Sequence, residues 1–273
     1  MENYLKKIKE TTDWVRFKTM FEPEVAIVLG SGLGNLISRM EVKHEMSYED
    51  VPHFPVSTVK GHYGKLLFGT LHNRQVVVMS GRFHYYEGYT MEEVSFPIRV
   101  LHMLGCHSII ITNASGGLNP EIRVGDLCVI TDHINMQPGN PLIGKNLEEL
   151  GPRFPDQHAV YDKGLISLAV SIAKEEKIRL HTGVYVAVPG PTFETPAEYK
   201  MYRLLGGDCI GMSTVPEVLV ANHGGMRIFA ISVICDEGNP AEPVRISHEE
   251  VVAAAQAAEP RMTRIIDAII QKM

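Results

Sequence analysis

The chain has 273 residues, of which 45% are apolar and 21% charged, the composition of a globular protein with a sizeable core. Its formal net charge of -6 argues against nucleic acid as a main partner, since neutralising phosphates needs a basic excess. The four cysteines are widely spaced and form no C-x-x-C pair, which disfavours zinc ribbons and redox motifs. No apolar run approaches the roughly 18 residues that span a membrane, and the N-terminus has no signal-peptide pattern, so we expect a cytoplasmic protein.

Helical and strand patterns alternate along the chain, beginning with an amphipathic helix near the N-terminus. The patterns after it predict strands at 24–29, 66–68 and 76–79, a helix at 92–104, strands at 108–112 and 127–131, a helix at 165–176, a strand at 183–188, a helix at 195–205, a short strand at 209–210, a helix from about 214, a strand at 228–234 and a closing helix at 247–271. Pro97 predicts that the helix at 92–104 kinks or begins late. The alternation, without a repeat or a break in composition, is typical of the α/β class and predicts one domain over residues 1–273.

A concentrated polar stretch comes after the apolar run 76–79, at the point where a buried strand should end. Arg82 offers a planar fork for a phosphate or carboxylate, and His84 a donor or proton carrier near neutral pH. Tyr86 offers a ring that stacks on a sugar or base. Open α/β sheets place their sites at such strand ends, although a polar turn leaving a strand would look the same.

The strand at 24–29 runs into G-S-G-L-G at 30–34, followed by a predicted helix. Glycines let the backbone approach an anion, a following helix presents free N–H groups, and Ser31 adds a hydroxyl. A dinucleotide fingerprint is disfavoured because Asn35 stands where the third glycine belongs, and a Walker loop because no Gly-Lys comes after it. A plain tight turn remains an alternative.

Two further strand ends carry side chains suited to a small polar ligand. In N-A-S-G-G at 113–117, Asn113 offers an amide to a ligand hydroxyl and Ala114 a backbone amide to an anion, unless the stretch is only an Asx turn. In G-P-T-F-E-T at 190–195, Phe193 next to Glu194 suits a planar heterocycle with N–H donors, unless the acid only favours a helix N-terminus.

The remaining candidates lie toward the C-terminus. Ser213 is either a helix cap or a second hydroxyl for an anion. Asp236 comes directly after the last predicted strand, and His248 stands near the start of the closing helix, where a surface histidine is the simpler interpretation.

No pattern for covalent or metal catalysis accompanies these groups. G-x-S-x-G is absent around every serine, H-E-x-x-H is absent, and no His, Cys and Asp cluster has metal-ligand spacing. Anion holders, an aromatic slot and carboxylates suit a reaction run by positioning and electrostatics rather than by a protein nucleophile.

Together these stretches resemble the trimeric purine nucleoside phosphorylases that act mainly on guanosine and inosine. The resemblance extends from about residue 24 to residue 252 and depends on the order and spacing of several motifs, each modest alone. They are G-S-G-L-G (30–34), G-H-Y-G-K-L (61–66), G-R-F-H-Y-Y-E-G-Y (81–89), T-N-A-S-G-G-L-N (112–119), G-P-R-F-P (151–155), G-P-T-F-E-T-P-A-E (190–198), G-M-S-T-V-P-E-V (211–218) and S-H-E-E-V (247–251).

The resemblance implies a single α/β domain with a mixed, partly barrel-like sheet flanked by helices. It implies a phosphate site at Ser31, His62, Arg82, His84, the Ala114 backbone and Ser213, ribose contacts at Tyr86, Met212 and His248, and a purine site at Asn113, Phe193, Glu194, Gly211 and Asp236. His84, Glu194 and Asp236 are the expected catalytic groups. Phe154, in the long Pro- and Gly-rich segment 135–156, matches a phenylalanine that reaches the neighbouring subunit's site, which implies a homotrimer.

The implied reaction is phosphorolysis, in which phosphate attacks the anomeric carbon of a ribose or deoxyribose. The sugar becomes oxocarbenium-like as its bond to purine N9 stretches, and groups that hold the negative charge of the leaving purine accelerate the step. The products are a free purine and a pentose 1-phosphate. The resemblance implies no metal or organic cofactor, inorganic phosphate being a substrate.

One position departs from the family pattern, since members acting on 6-oxopurines usually show Thr-Asn where this chain has Cys235-Asp236. An Asn amide donates to a purine O6, whereas a carboxylate only accepts unless it is protonated. Asp236 should therefore tolerate a 6-amino group, while Glu194 suits the N1–H of a 6-oxopurine. We expect guanosine and inosine as the default substrates, with better use of adenosine than in the Asn-type enzymes.

Three other interpretations remain open from the sequence. 5′-Methylthioadenosine phosphorylase shares the fold and the reaction type and uses aspartates at the base, but Asn113, Glu194 and His248 disfavour it. A nicotinamide-dependent dehydrogenase would use the glycine-rich turn, and the missing third glycine disfavours it. A non-catalytic nucleoside-binding protein would explain the departure at Asp236.

Overall fold

A nine-stranded mixed sheet organises the chain in the computed structural model, which describes residues 2–56, 64–238 and 246–273. Its strands are β1 Val25–Leu29, β2 Glu41–Ser47, β3 Lys65–Leu71, β4 Arg74–Ser80, β5 Ser108–Gly117, β6 Leu127–Asn135, β7 Leu180–Ala187, β8 Cys209–Gly211 and β9 Arg227–Glu237. The helices are α1 Glu2–Thr19, α2 Met91–Leu104, α3 Lys163–Glu175, α4 Pro196–Leu204, α5 Val215–His223 and α6 His248–Lys272.

The sheet closes on itself at one end. The strand order is β2-β3-β4-β1-β5-β8-β7-β6-β9, and an additional pairing joins β9 back to β5. Strands β5, β8, β7, β6 and β9 therefore form a closed ring, while β2, β3, β4 and β1 extend from it as an open sheet. Parallel pairs (β1 with β4 and β5, β5 with β9) mix with antiparallel ones (β3 with β4, β6 with β9). This is the partly barrel-like α/β architecture that the family resemblance implies.

Helices cover both faces of the sheet because each turns an apolar side toward it. One core cluster joins Ile8 of α1, Phe96 of α2 and Val218 of α5 to the strands. The other joins the opposite face of the strands to Leu165 of α3 and Ile265 of α6. The central strands are thus buried on both faces, which accounts for their continuous apolar runs. No helix within the described ranges is long and apolar enough to cross a membrane.

Several local predictions are confirmed, and the caps among them have a visible cause. Thr195 is the N-cap residue of α4, and Ser247 is the N-cap residue of α6. Each side chain accepts a hydrogen bond from the backbone N–H three residues further on, as part of a capping box. The turn between β3 and β4 falls at His72 and Asn73, both with positive φ. Segment 135–156 is irregular beyond the end of β6, apart from one 3₁₀ turn at Glu148–Leu150.

Other local predictions are wrong. β5 does not end at Thr112 but continues through the N-A-S-G-G stretch to Gly117, and β9 continues past Asp236. The small residues of β5 permit close pairing: a Cβ at Gly116 would lie 2.8 Å from an Asp236 carboxylate oxygen. The sequence pattern does not predict the strand β2, because its seven residues are mostly exposed and polar and carry no apolar alternation.

The two predicted helix starts near small polar residues also need correction. G-S-G-L-G is followed by a 3₁₀ turn at Asn35–Arg39 rather than by the predicted α-helix. Ser213 is not a helix cap: Thr214 occupies the N-cap position of α5, with φ 71° and no side-chain cap bond. α2 begins at Met91 with Pro97 inside it, so the proline does not delay the helix.

Candidate functional site

A cavity of about 400 Å³ opens where the closed ring meets the open part of the sheet. The sequence-predicted residues that line it are Ser31, Arg82, His84, Tyr86, Asn113, Ala114, Phe193, Glu194, Gly211, Met212, Ser213, Asp236 and His248. They come from seven separate stretches, as expected if the strand ends converge. His62 lies outside the described residues. Phe154 does not line the cavity; it is 86% exposed, with the Arg153 guanidinium 5.5 Å from its ring centre.

The Arg82 side chain forms the polar floor of the cavity and is only 1% exposed. The Glu217 carboxylate of α5 holds it in two places: Nε donates to Oε1 at 3.1 Å, and Nη2 lies 3.0 Å from Oε2. The first contact is a hydrogen bond and the second an ion-pair contact, and together they restrict the orientation of the guanidinium. The sequence does not point to Glu217, because one acid in an apolar helix carries no local signal.

Two further bonds connect Arg82 to the strand and loop that surround the cavity. Nη1 donates to the backbone carbonyl of Thr112 at 2.8 Å and to the Ser213 hydroxyl at 3.2 Å. The Ser213 hydroxyl in turn lies 3.1 Å from that of Thr214. Arg82 and Ser213 are therefore two parts of one polar network whose side chains border the cavity.

His84 stands beside this network in a constrained position. Its Nδ1 lies 2.8 Å from the Glu87 carboxylate, and its ring stacks on Tyr86 with centres 4.7 Å apart. An ionised carboxylate only accepts, so this contact places the proton of a neutral His84 on Nδ1 and leaves Nε2 as an acceptor. Burial lowers the pKa of His84, and the bond from Glu87 only partly opposes that effect.

Asn113 is buried within β5, and both ends of its amide already have protein partners. Its Nδ2 donates to the Thr214 hydroxyl at 2.9 Å, and its Oδ1 accepts from the Ser232 hydroxyl at 2.7 Å. One N–H and one lone pair of the amide are left over by these two bonds. The bonds fix the plane of the amide and also tie Thr214, with its unusual positive φ, to β5.

The far end of the cavity carries two carboxyls and an aromatic ring. Phe193 is 41% exposed, while Glu194 and Asp236 are partly buried. Burial raises the pKa of Asp236 to about 6, against a hydrogen bond from Tyr199 that lowers it. Burial also raises the pKa of Glu194, helped by the negative charge of Asp236. The sequence does not single out Tyr199, whose hydroxyl lies 3.3 Å from Asp236 Oδ1.

The glycine-rich loop that carries Ser31 is held by α6. Gly32 has a φ of 74° and packs so closely that an added Cβ would lie 3.2 Å from the Val252 carbonyl. The buried carboxylate of Glu259 accepts from the backbone N–H and the side-chain amide of Asn35. Burial raises the pKa of Glu259. The loop is therefore positioned by a helix more than 200 residues away in sequence, which local patterns do not indicate.

Within the three described ranges, no group of three His, Cys, Asp or Glu side chains is arranged to hold a metal ion. The cavity instead offers an arginine, two serine hydroxyls and a histidine at one end, and an aromatic ring with two carboxyls at the other. This arrangement can hold an oxyanion, a central polar group and a planar ring with N–H donors in a single ligand complex.

Comparisons with known proteins agree with one another. The family model described as the Phosphorylase superfamily matches residues 24–271. The chain is 47% identical to purine nucleoside phosphorylase 1 of Bacillus subtilis (strain 168), covering 97% of both chains. It is 43% identical to the purine nucleoside phosphorylase of Rattus norvegicus, covering 97% of this chain and 94% of the relative.

Solved structures give the same result for the fold. A schistosoma purine nucleoside phosphorylase in complex with hypoxanthine superposes with a TM-score of 0.92 and 40% identity, covering 98% of this chain and 97% of that one. The Schistosoma mansoni enzyme in complex with adenosine superposes equally well, with a TM-score of 0.92, 40% identity and the same coverage.

Proposed function

This chain belongs to the phosphorylase superfamily and, within it, to the purine nucleoside phosphorylases, and we propose that its reaction takes place in the cavity described above. It is a pentosyltransferase that cleaves purine nucleosides with phosphate, giving a free purine base and a pentose 1-phosphate. We assign the reaction to three adjoining regions of the cavity, which hold the phosphate, the pentose and the base.

Phosphate binds at the end of the cavity formed by Ser31, Arg82, His84, Ser213 and the backbone N–H of Ala114. The support for this is the network in which Arg82 bonds Ser213 while Glu217 holds the guanidinium plane. Hydroxyls and guanidinium N–H groups fixed in advance stabilise an anion without reorganising during the reaction. We propose His62 as a further phosphate contact from the sequence resemblance alone.

The pentose lies between the phosphate and the base, against Tyr86, Met212 and His248. Met212 and Tyr86 both approach Gly190, where an added Cβ would lie 2.3 Å from the Met212 sulfur. An apolar floor beneath the sugar excludes water from the anomeric carbon while phosphate attacks it. His248, at the exposed start of α6, suits the polar 5′-hydroxyl of a nucleoside.

The purine is held by Asn113, Phe193, Glu194, the Gly211 backbone and Asp236. As the bond from the sugar to N9 breaks, electrons flow into the purine, and a protonated side chain at its imidazole edge stabilises that charge. Because the pKa of Asp236 is raised to about 6, this carboxyl can take up a proton and donate it to a 6-oxopurine, or act in its ionised form as an acceptor for a 6-amino group. Asp236 and Glu194 thereby act on the leaving base, and His84 on the attacking phosphate.

Base preference is set by the two carboxyls. Glu194 in its ionised form accepts from the N1–H of guanosine and inosine, which we propose as the main substrates. Asp236 accepts from a 6-amino group, so adenosine should be used better than by enzymes with asparagine at this position. Burial of both carboxyls supports this assignment, because a buried carboxylate with remaining acceptor capacity favours a ligand that donates to it.

We further propose a homotrimer in which Phe154 of one subunit completes the neighbouring site. The support is that Phe154, on the long segment 135–156, is 86% exposed, so its ring is available to a neighbouring subunit. We propose that the reaction needs no metal or organic cofactor. The four cysteines are free and buried, which fits a cytoplasmic enzyme of purine salvage.

The observation that carries these assignments is the convergence of seven distant stretches on one cavity with Arg82 and Ser213 at one end and Glu194 and Asp236 at the other. The test is a phosphorolysis panel of inosine, guanosine, adenosine and 5′-methylthioadenosine, each with and without phosphate. We expect phosphate-dependent release of hypoxanthine and guanine, some adenine, and little cleavage of methylthioadenosine. Preferred cleavage of methylthioadenosine, or no base release from any nucleoside, would contradict the proposal.

A further inference from the structure

Tyr199 lies behind the base end of the cavity without lining it. It stands in the first turn of α4 with its side chain buried, and its ring packs against the backbone at Gly238, where an added Cβ would come within 2.2 Å of the ring. Its hydroxyl lies 3.3 Å from Asp236 Oδ1. The Glu194 carboxyl is also close enough for the Tyr199 hydroxyl to lower its pKa. One hydroxyl therefore stands between the two acids that face the base.

The Asp236 carboxyl has little freedom apart from this contact. On one side it presses on β5, where a Cβ at Gly116 would lie 2.8 Å from Oδ1. The titratable groups around it are Glu194 from the loop before α4, Tyr199 and Glu198 from α4, its neighbour Cys235 on β9, and His248 across the cavity from α6. Among the described residues lining the cavity, the only arginine or lysine is Arg82, which Glu217 already holds.

Among the hydrogen bonds of the described residues, the Tyr199 hydroxyl is the side-chain donor placed on Asp236. A tyrosine hydroxyl has one proton and can donate it to only one carboxyl at a time. Burial and the two nearby acids raise the pKa of Tyr199 far above its usual value, so the hydroxyl stays a donor at all working pH values. If it donates to Asp236, that carboxylate is stabilised as an acceptor, and Glu194 is left to the N1 edge of the base.

We propose that Tyr199 is a specificity-determining residue that acts by positioning Asp236. Its hydroxyl holds the Asp236 carboxylate ionised and oriented toward the 6-substituent of the base, so that a 6-amino group is accepted and a 6-oxygen is disfavoured. This inference rests on the proposed base site. Without the hydroxyl, the Asp236 carboxyl takes up a proton more readily and can donate to a 6-oxygen.

The test compares kcat/KM for adenosine and inosine in the native protein and in Tyr199→Phe, which keeps the ring and its packing on Gly238. Loss of a hydrogen bond to a charged group should lower the adenosine-to-inosine ratio by about tenfold. Tyr202→Phe is the matched control, since Tyr202 is also buried on α4 but the hydrogen bond to Asp236 comes from Tyr199. It should leave the ratio unchanged.

Two further readouts separate positioning from a structural role. In the native enzyme the ratio should rise as pH increases through about 6, where Asp236 ionises, and in Tyr199→Phe this rise should move to higher pH. In an Asp236→Asn background, Tyr199→Phe should no longer change the ratio, because the group it acts through has gone.

The outcomes distinguish this inference from the proposed function. If the native enzyme releases no base from any nucleoside, the proposed function fails. If it does, but Tyr199→Phe lowers both kcat/KM values equally, or changes the ratio as much in the Asp236→Asn background as in the native one, Tyr199 has only a structural role and the inference is overturned.

Discussion

Replacing Asp236 by asparagine should stabilise the protein at neutral pH and much less under acid conditions. Burial raises the pKa of this carboxyl from 3.8 to about 6. A carboxyl whose folded pKa exceeds its unfolded pKa contributes its full stability below the unfolded value, and that contribution is lost as pH rises through the folded value. Asparagine has nearly the same shape, carries no charge, and keeps a hydrogen-bonding partner for Tyr199.

The size of the effect is set by the pKa shift. At about pH 7.5, ionised Asp236 costs the folded state about 3 kcal/mol, whereas at about pH 5 it costs roughly 1.6 kcal/mol. The free energy of unfolding gained by Asp236→Asn should therefore grow by about 1.4 kcal/mol between these two pH values. All other titrating groups, Glu194 included, are present in both variants and largely cancel in the difference.

The assay is urea unfolding of both variants at the two pH values, with a fixed protein concentration and without phosphate or nucleoside, since ligands and association shift apparent stability. Asp13→Asn, at an exposed position on α1, is the control for replacing an aspartate by asparagine away from the cavity. A pH-independent difference for Asp236→Asn, or a loss of stability that grows with pH, would refute the reasoning.

Three other substitutions test the remaining parts of the site. Arg82→Ala should lower kcat/KM for phosphate by on the order of 100-fold while changing nucleoside KM far less, and unaltered phosphate kinetics would contradict its assignment. Glu217→Gln should lower the unfolding temperature, because it leaves the buried Arg82 without its charged partner. Added phosphate should then raise the unfolding temperature of the variant more than that of the native protein, because the anion replaces the missing partner. An equal rise in both proteins would count against this. Phe154→Ala should reduce nucleoside kcat/KM by about tenfold without destabilising the subunit fold, and mixing it with an Arg82→Ala protein should restore some activity if subunits share sites.

Elements with strong local signals are predictable from the sequence. β1, β4 and the first half of β5 are continuous apolar runs, and α4 and α6 begin with capping residues that the pattern shows directly. β2 cannot be predicted from the sequence because it is an edge strand of mostly exposed, polar residues. Its pairing with β3 satisfies the backbone hydrogen bonds of the strand but requires no alternation of apolar residues in the sequence. The predicted end of β5 is wrong because its glycines are there for close strand pairing and not for a turn.

Site residues that face the ligand are easier to predict than the residues that hold them. Arg82 and Asp236 come at the ends of apolar strands, and that position is itself a signal. Glu217, Tyr199 and Glu259 act through a partner that is distant in sequence, across 135 positions in the case of Glu217 and Arg82. Each sits on a helix whose pattern is fully explained by packing, so only the folded chain shows what its polar atoms contact.

The Arg82 and Glu217 pair has a consequence for how the site attracts an anion. Because both side chains are almost fully buried and only about 3 Å apart, their charges nearly cancel at a distance. The protein as a whole is acidic, with a formal net charge of -6. Long-range attraction is therefore a poor account of phosphate capture. Phosphate is captured instead by short, directed hydrogen-bond donors. These are the guanidinium N–H groups, which Glu217 orients, and the hydroxyls, which are positioned by β5 and by the loop before α5. A site of this kind should lose little phosphate affinity when ionic strength rises, because donors at contact distance in a buried pocket are only weakly screened.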